Sequence, residues 1–270
     1  MLTMNRRFTH LCMGLALLAT TVGCRTAQQR NDSAVNLDYL TYATIWFQRA
    51  PEARALYYQG FNTARAQLPA LIAQGDSRPK AVIVDIDETM LDNGPFEAQE
   101  IIDGRNYSDE FWQEWTLQGR AQALPGAVEF SRYCDSLGVQ VFYVSNRLAN
   151  ELQATLRNLD SLGFACARAE NIMLKDSTSS KKARRAKVAE LFDVLMLVGD
   201  NLSDFADVFE HRGDDWGLAL VEQYRHEFGR RFIILPNPMY GEWERSMYGS
   251  YGRPEAEKAA LRRAALRGFR

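Results

Sequence analysis

The segment that most constrains the fold of this chain lies at residues 81–93 and reads AVIVDIDETMLDN. Its β-branched apolar run is typical of a buried parallel strand. The run ends in two aspartates, Asp85 and Asp87. Because such a strand delivers its last side chains to the carboxyl edge of the sheet, these carboxylates are placed where α/β proteins carry out their chemistry. One carboxylate can attack phosphorus, and the second can act as general acid and then general base. A solvated turn is the alternative, but the strand in front and the polar D-E-T-x-L-D pattern favour chemistry.

Further apolar runs share this design. They occupy residues 138–146, 193–200 and 231–237, and the first two end in polar residues. Segments with helical periodicity separate the runs. Strands that alternate with helices predict an α/β fold with a doubly wound parallel sheet and right-handed crossovers, that is, a Rossmann-like core.

An insertion and a tail complete the predicted organisation. Residues 94–124 interrupt the first crossover and carry aromatic residues at helical spacing, among them Trp112 and Trp115. We therefore expect a small helical cap, inserted after the first strand of a domain that spans residues 36–252. Residues 253–270 contain six basic and two acidic residues and are expected to form an exposed basic C-terminal helix.

The N-terminus resembles an export signal. Residues 1–23 begin with a basic region and continue with an apolar stretch too short to span a bilayer comfortably. They end in a small residue before Cys24, as in the lipobox of bacterial lipoproteins, although Thr21 stands where most lipoboxes have Leu. An acylated Cys24 would anchor the protein to a bacterial membrane, at the outer membrane or periplasmic face, through a polar tether at residues 24–35. A cleaved signal without a lipid is the alternative, and the mass of the mature N-terminus distinguishes the two.

The composition argues against a nucleic-acid-binding protein and against a zinc site. Removing residues 1–23 takes two basic residues from 32 and none of the 34 acidic ones, which leaves a net charge of −4 and no indication of a nucleic-acid partner. With three histidines and no H-x-x-x-H pattern, a zinc site is not indicated. In an exported protein Cys134 and Cys166 form either a disulfide or two buried thiols, and the sequence leaves both open.

Polar side chains at three strand ends and one helix start should converge. Asp85 and Asp87 follow the first strand, Ser145 ends the second, Asp200 ends the third, and a basic pair at 181–182 opens a helix. Asp85 and Asp200, with a backbone carbonyl near Asp87 and waters, would form the oxygen-only shell that Mg²⁺ prefers. Ser145 and a lysine would bind the phosphate oxygens as charge develops on them. The sequence therefore predicts a site for phosphoryl transfer.

At this point the chain resembles the haloacid dehalogenase (HAD) superfamily, and within it the class C acid phosphatases, bacterial lipoproteins of which some act as surface 5′-nucleotidases. The resemblance covers most of residues 36–250 and rests on DIDETMLDN, VFYVSNR, VGDNLSDF, PGAVEF and FIILPNPMYGEWE. It implies a Rossmann-like core with a small helical cap and the use of Mg²⁺.

The resemblance also implies roles for individual residues. Asp85 is the nucleophile and Asp87 the acid/base. Lys181 is favoured over Lys182 as the catalytic lysine because of its SSKKARR context. Asp204 is expected to support the water shell of the metal.

Two pairs of residues are expected to bind the substrate. Asn146 and Arg147, next to Ser145, are expected to contact the substrate. The resemblance implies that Trp112 and Tyr240 form an aromatic clamp for a base or nicotinamide ring, whereas packing in the core is the alternative for each of them.

The expected function is Mg²⁺-dependent hydrolysis of small phosphomonoesters, such as nucleoside or nicotinamide monophosphates, through an aspartyl-phosphate. One alternative is a phosphotransferase that passes the phosphoryl group to a nucleoside. Another is a non-catalytic surface-binding lipoprotein, which clustered like charges argue against. Whether the chain forms a homodimer is left open.

Overall fold

The computed structural model describes residues 37–250 and 252–269. The predicted signal peptide, the lipidated Cys24 and the tether lie outside the described residues and stay predictions. The strands of the described part are β1 Lys80–Val84, β2 Leu91–Asp92, β3 Gln122–Ala123, β4 Gln140–Leu148, β5 Ile172–Lys175, β6 Asp193–Gly199 and β7 Phe232–Ile234. The helices are α1 Asp38–Arg49, α2 Pro51–Gln74, α3 Gly94–Asp103, α4 Asp109–Thr116, α5 Ala127–Ser136, α6 Leu152–Leu162, α7 Lys182–Leu191, α8 Leu218–Gln223, α9 Glu242–Tyr248 and α10 Glu255–Ala265.

The main sheet has five parallel strands in the order β5-β4-β1-β6-β7. From the central β1 the chain first builds one side of the sheet and then crosses to the other. The strand order therefore reverses beside β1, and the carboxyl ends of β1, β4 and β6 lie next to each other at this switch point. The prediction of a doubly wound α/β fold is confirmed.

The strand β1 is buried on both faces, which explains its continuous apolar sequence. Val82 and Val84 pack into a cluster that includes Phe61 and Leu68 of α2, whereas Ala81 and Ile83 pack into a second cluster with Val188 of α7. Burial of apolar area stabilises the fold by roughly 25 cal/mol per Å². With its register held from both sides, β1 ends at a fixed point, immediately before Asp85.

The predicted cap is closed by a small ladder that sequence analysis did not predict. Strands β2 and β3 pair antiparallel, with Leu91 opposite Ala123 and Asp92 opposite Gln122. Helices α3 and α4 lie between them, and Ser108 caps α4 by accepting the Phe111 N–H at 3.1 Å. The insertion therefore leaves and re-enters the domain at one place.

Two further expectations concern the C-terminus and the cysteines. Helix α10 forms as predicted, and Arg262 on it donates to the Tyr248 hydroxyl at 3.0 Å and lies over the Tyr39 ring, so this helix packs on the domain. Cys134 and Cys166 are both buried free thiols. Among the described residues, no helix has the length and apolar character needed to cross a membrane.

Candidate active site

The side chain of Asp85 is held at the carboxyl end of β1. Its backbone N–H donates to the Val198 carbonyl at 2.9 Å, which continues the pairing with β6 beyond the last strand residue. Its carboxylate is 9% exposed and accepts a hydrogen bond from Nζ of Lys181, which also donates to Asp204 at 2.6 Å. Lys182, by contrast, is exposed and pairs with Asp207. Lys181 is thus the lysine that reaches the end of β1.

Three carboxylates converge around this lysine. Asp85, Asp200 and Asp204 each offer one oxygen, and these oxygens all lie within 4.8 Å of one another. Asp200 is oriented by Thr89 Oγ1 at 3.3 Å and Asn237 Nδ2 at 2.8 Å. Asp204 was expected to support the water shell of the metal. In the structure it lies in the same group of carboxylates as Asp85 and Asp200, the two predicted metal ligands.

The electrostatics of this group favour a bound cation. Burial raises the pKa of Asp85 well above its usual range, with Lys181 opposing, and burial with the Asp204 charge raises the pKa of Asp200 to about 7. Burial lowers the pKa of Lys181, but the two aspartates more than offset this and hold it above its usual value. Two buried carboxylates and a half-buried one surround one ammonium group, which donates to Asp85 and Asp204. This hard, oxygen-only donor set fits a divalent cation.

The side chain of Asp87 is held by a different set of partners. Arg147 donates to it through Nε at 3.0 Å and Nη2 at 2.8 Å, Asn93 Nδ2 donates at 2.8 Å and Ser145 Oγ at 3.1 Å. The Arg147 side chain is 1% exposed and also donates to Thr155 at 3.1 Å. Arg147, predicted as a substrate-binding residue, thus directs most of its hydrogen bonds at Asp87. The side chains of Asp85 and Asp87 are held in separate hydrogen-bond networks at the end of one strand.

Glu88 is a buried site residue that sequence analysis missed. Its φ of 54° lies in the left-handed region, which turns the chain sharply between Asp87 and Thr89. Its carboxylate accepts from the Asn93 N–H at 2.8 Å and from the Tyr240 hydroxyl. Burial raises the pKa of Glu88 and of Tyr240. A third acid directly after D-x-D was the available signal, but one of its two hydrogen-bond partners, Tyr240, lies 152 residues away.

Most of the site residues line one cavity of about 990 Å³. Its lining includes the predicted residues Asp85, Asp87, Trp112, Asn146, Arg147, Lys181, Asp200, Asp204 and Tyr240. Ser145 is fully buried and reaches the site through Asp87. The Trp112 ring packs edge-on against Phe96 with centroids 5.0 Å apart, while the Tyr240 hydroxyl is held by Glu88. The structure therefore brings every predicted catalytic and binding residue of the described part to one site.

The fold and the site define an α/β protein with an acid-rich phosphoryl-transfer centre at its switch point, and comparisons with known proteins agree. The family model of the HAD superfamily, subfamily IIIB (Acid phosphatase), matches residues 10–243. The chain belongs to this family. The predicted recognition and the predicted class, a phosphoric monoester hydrolase of the acid phosphatase type, are confirmed at the level of the family.

Solved structures support the same assignment. The class C acid phosphatase from Bacillus anthracis is 40% identical with a TM-score of 0.82, and the match covers 86% of this chain and 98% of that chain. A structure of the Bacillus anthracis enzyme with tungstate bound is 39% identical, with the same TM-score and the same coverage of both chains.

Curated relatives are more distant. Acid phosphatase 1 of Solanum lycopersicum is 27% identical over 171 residues, which cover 62% of this chain and 60% of that protein. A stem 31 kDa glycoprotein of Glycine max is 28% identical over 166 residues, which cover 58% of each. The chain thus spans about three-fifths of the length of these plant relatives.

Proposed function

We propose that this protein is a Mg²⁺-dependent phosphomonoesterase that hydrolyses small organic phosphates through an aspartyl-phosphate. The observation that carries the proposal is the pair of hydrogen-bond networks at the end of β1. One network holds Asp85 beside Lys181 and two further carboxylates. The other holds Asp87 through Arg147 in the same cavity. A nucleophile and a proton donor are thereby kept apart and separately oriented.

In the first step a carboxylate oxygen of Asp85 attacks phosphorus and the bond to the ester oxygen breaks. Asp87 gives its proton to the departing alkoxide, while Lys181 stabilises the charge on the phosphoryl oxygens. In the second step Asp87 takes a proton from water, the water oxygen attacks phosphorus, and the Asp85 carboxylate leaves. When bound, Mg²⁺ held by Asp85, Asp200 and Asp204 would supply positive charge that offsets repulsion between carboxylate and phosphate.

Removal of divalent metal should stop turnover. We expect phosphate release from p-nitrophenyl phosphate, AMP and NMN in the presence of Mg²⁺, and a loss of about 100-fold or more in EDTA, because the three carboxylates would repel the substrate. Restoring Mg²⁺ in excess should recover the rate. Full activity after exhaustive chelation would exclude metal dependence. Absence of hydrolysis for the whole panel would contradict the proposed activity.

The preferred substrates are proposed to carry a planar ring on the leaving group. Trp112 and Tyr240 line the cavity beside the reacting groups. Trp112 is braced by Phe96, and Tyr240 is held by Glu88, so neither ring has to be ordered when a substrate binds. A nucleobase or a nicotinamide ring offers the flat face that such side chains bind best.

Substitution of Trp112 should reveal this preference. In Trp112→Leu we expect kcat/KM for AMP to fall about fivefold relative to kcat/KM for glycerol 2-phosphate, because an aromatic contact contributes roughly 1 kcal/mol beyond its buried area. Steady-state kinetics on the two substrates measures the ratio. Tyr42→Leu, which removes an exposed aromatic ring on α1, is the matched control. An unchanged ratio in Trp112→Leu would exclude the clamp.

A further inference from the structure

A buried arginine beside the active site makes its hydrogen bonds to neutral acceptors, not to carboxylates, within the described part of the chain. Arg184 lies in the first turns of α7 and is 6% exposed. Within residues 37–250 and 252–269 no ion pair includes it, and burial lowers the pKa of its guanidinium. Burying a charge without a counter-charge is costly, so its contacts call for an explanation other than a salt bridge.

The guanidinium of Arg184 connects two segments of the site. Nη1 donates to the Ser145 carbonyl at 2.6 Å, and Nη2 donates to Oδ1 of Asn146 at 2.7 Å. Nη2 also donates to the carbonyls of Ser180 at 3.1 Å and Ser179 at 3.3 Å. All four acceptors are neutral. The carboxyl end of β4 and the loop that leads into Lys181 are therefore joined by a single planar group.

These segments carry the two groups that would bind phosphate oxygens. Ser145 contacts Asp87 through its hydroxyl, and Lys181 contacts Asp85. The next residue, Arg185, makes the equivalent connection to the loop after β6, donating to the carbonyls of Ser203 at 2.8 Å and Asp204 at 3.2 Å. Helix α7 is thus hydrogen-bonded to both neighbouring strand ends, and Arg184 bridges the β4 side and the Lys181 side.

We propose that Arg184 is a positioning residue for phosphoryl transfer, which holds Ser145 and Asn146 of β4 at a fixed distance from Lys181. This inference rests on the proposed function, because it concerns the same site. The positioning role explains why the Arg184 guanidinium is buried although every group that accepts its hydrogen bonds is neutral. The guanidinium fork is required, since a planar group with several N–H donors can satisfy acceptors on both segments at once.

The test compares Arg184→Ala with Lys187→Gln, which removes a charge from an exposed position of the same helix. We expect kcat of Arg184→Ala to fall about 100-fold with a smaller change in KM, because misplacing catalytic groups by about 1 Å costs this much. Methylguanidinium at millimolar concentration should restore part of the rate, and urea, which is neutral and of similar shape, should not. Lys187→Gln should match the wild type.

Tungstate binding, measured by calorimetry, separates this inference from the proposed function. Tungstate resembles phosphate in shape and charge, and its affinity does not depend on turnover. We expect Arg184→Ala to bind it about tenfold more weakly, the effect of losing roughly 1.4 kcal/mol. If the wild type binds tungstate but hydrolyses nothing, the proposed function fails, whereas weaker binding in Arg184→Ala still supports the positioning role.

Arg184→Lys provides the second variant should Arg184→Ala not fold. It keeps the charge but offers one nitrogen, so kcat should fall at least about tenfold at an unchanged melting temperature. Wild-type kcat and tungstate affinity in either variant would overturn the inference. So would a loss of activity that follows the melting temperature and is not reversed by methylguanidinium, since that pattern belongs to a structural role.

Discussion

Asp85→Asn should lose phosphate release by about five orders of magnitude, the scale on which enzymes lose activity when a covalent nucleophile is removed. The amide oxygen of asparagine is a poor nucleophile and cannot form the acyl-phosphate. The substitution is nearly isosteric, and the amide oxygen can still accept a hydrogen bond from Lys181. We therefore expect the fold to persist while the chemistry stops.

Two measurements make this result decisive. Acid-quenched enzyme incubated with ³²P-labelled substrate should carry label in the wild type and none in Asp85→Asn. Asp160→Asn, at an exposed position on α6, is the control for the same chemical change away from the site. Residual turnover above about 1% in Asp85→Asn, at a normal melting temperature, would mean that another group or a water molecule attacks phosphorus.

The sheet could be predicted because its signals are local and strong. Uninterrupted apolar runs at 81–84 and 195–199 are buried on both sides in the structure, and their polar ends meet as parallel topology requires. The ladder of β2 and β3 could not be predicted, because two-residue strands carry no periodic pattern. The edge strand β5 has only four residues and is partly exposed, so its sequence shows just a short apolar piece.

The identity of the site residues could be predicted better than their partners. The motifs predicted that Asp85, Asp87 and Lys181 share one site, because each of them lies at the end or the start of a helix or strand at the same edge of the sheet. Arg147 is different: it lies two residues after Ser145, which suggested substrate binding, yet most of its hydrogen bonds go to Asp87, 60 residues earlier. Which acceptor a buried guanidinium reaches depends on packing between distant segments, and no local pattern encodes it.

The same limit applies to the basic stretch that opens α7. Four basic residues in five read as a solvated helix face, and Lys182 is indeed exposed. Lys181 and Arg184 are instead buried, because they extend under the ends of β6 and β4. A helix that starts beside the carboxyl edge of a sheet presents one side of its first turn to the site, so Lys181 and Arg184 contact site residues while Lys182 faces solvent.

Asp87→Asn should slow both chemical steps, by about 10²- to 10⁴-fold, the usual contribution of a general acid or base. Without a proton donor, expulsion of an alkoxide suffers most, so AMP hydrolysis should fall further than hydrolysis of p-nitrophenyl phosphate, whose leaving group needs no proton. Without a base, the attacking water is not activated. With p-nitrophenyl phosphate we therefore expect a burst of p-nitrophenol followed by a slow phase, with labelled phosphoenzyme accumulating.

The burst also separates catalysis from stability. Asp87→Asn leaves the buried Arg147 without its ionic partner, and removing one member of a buried pair can cost about 3–5 kcal/mol, so the melting temperature should fall. Unfolded molecules release no p-nitrophenol and hold no phosphate, so a lower folded fraction scales both phases equally and cannot create a burst. A uniform decrease for both substrates without trapped phosphoenzyme would exclude Asp87 as the acid/base. Arg147 would then remain its structural partner only.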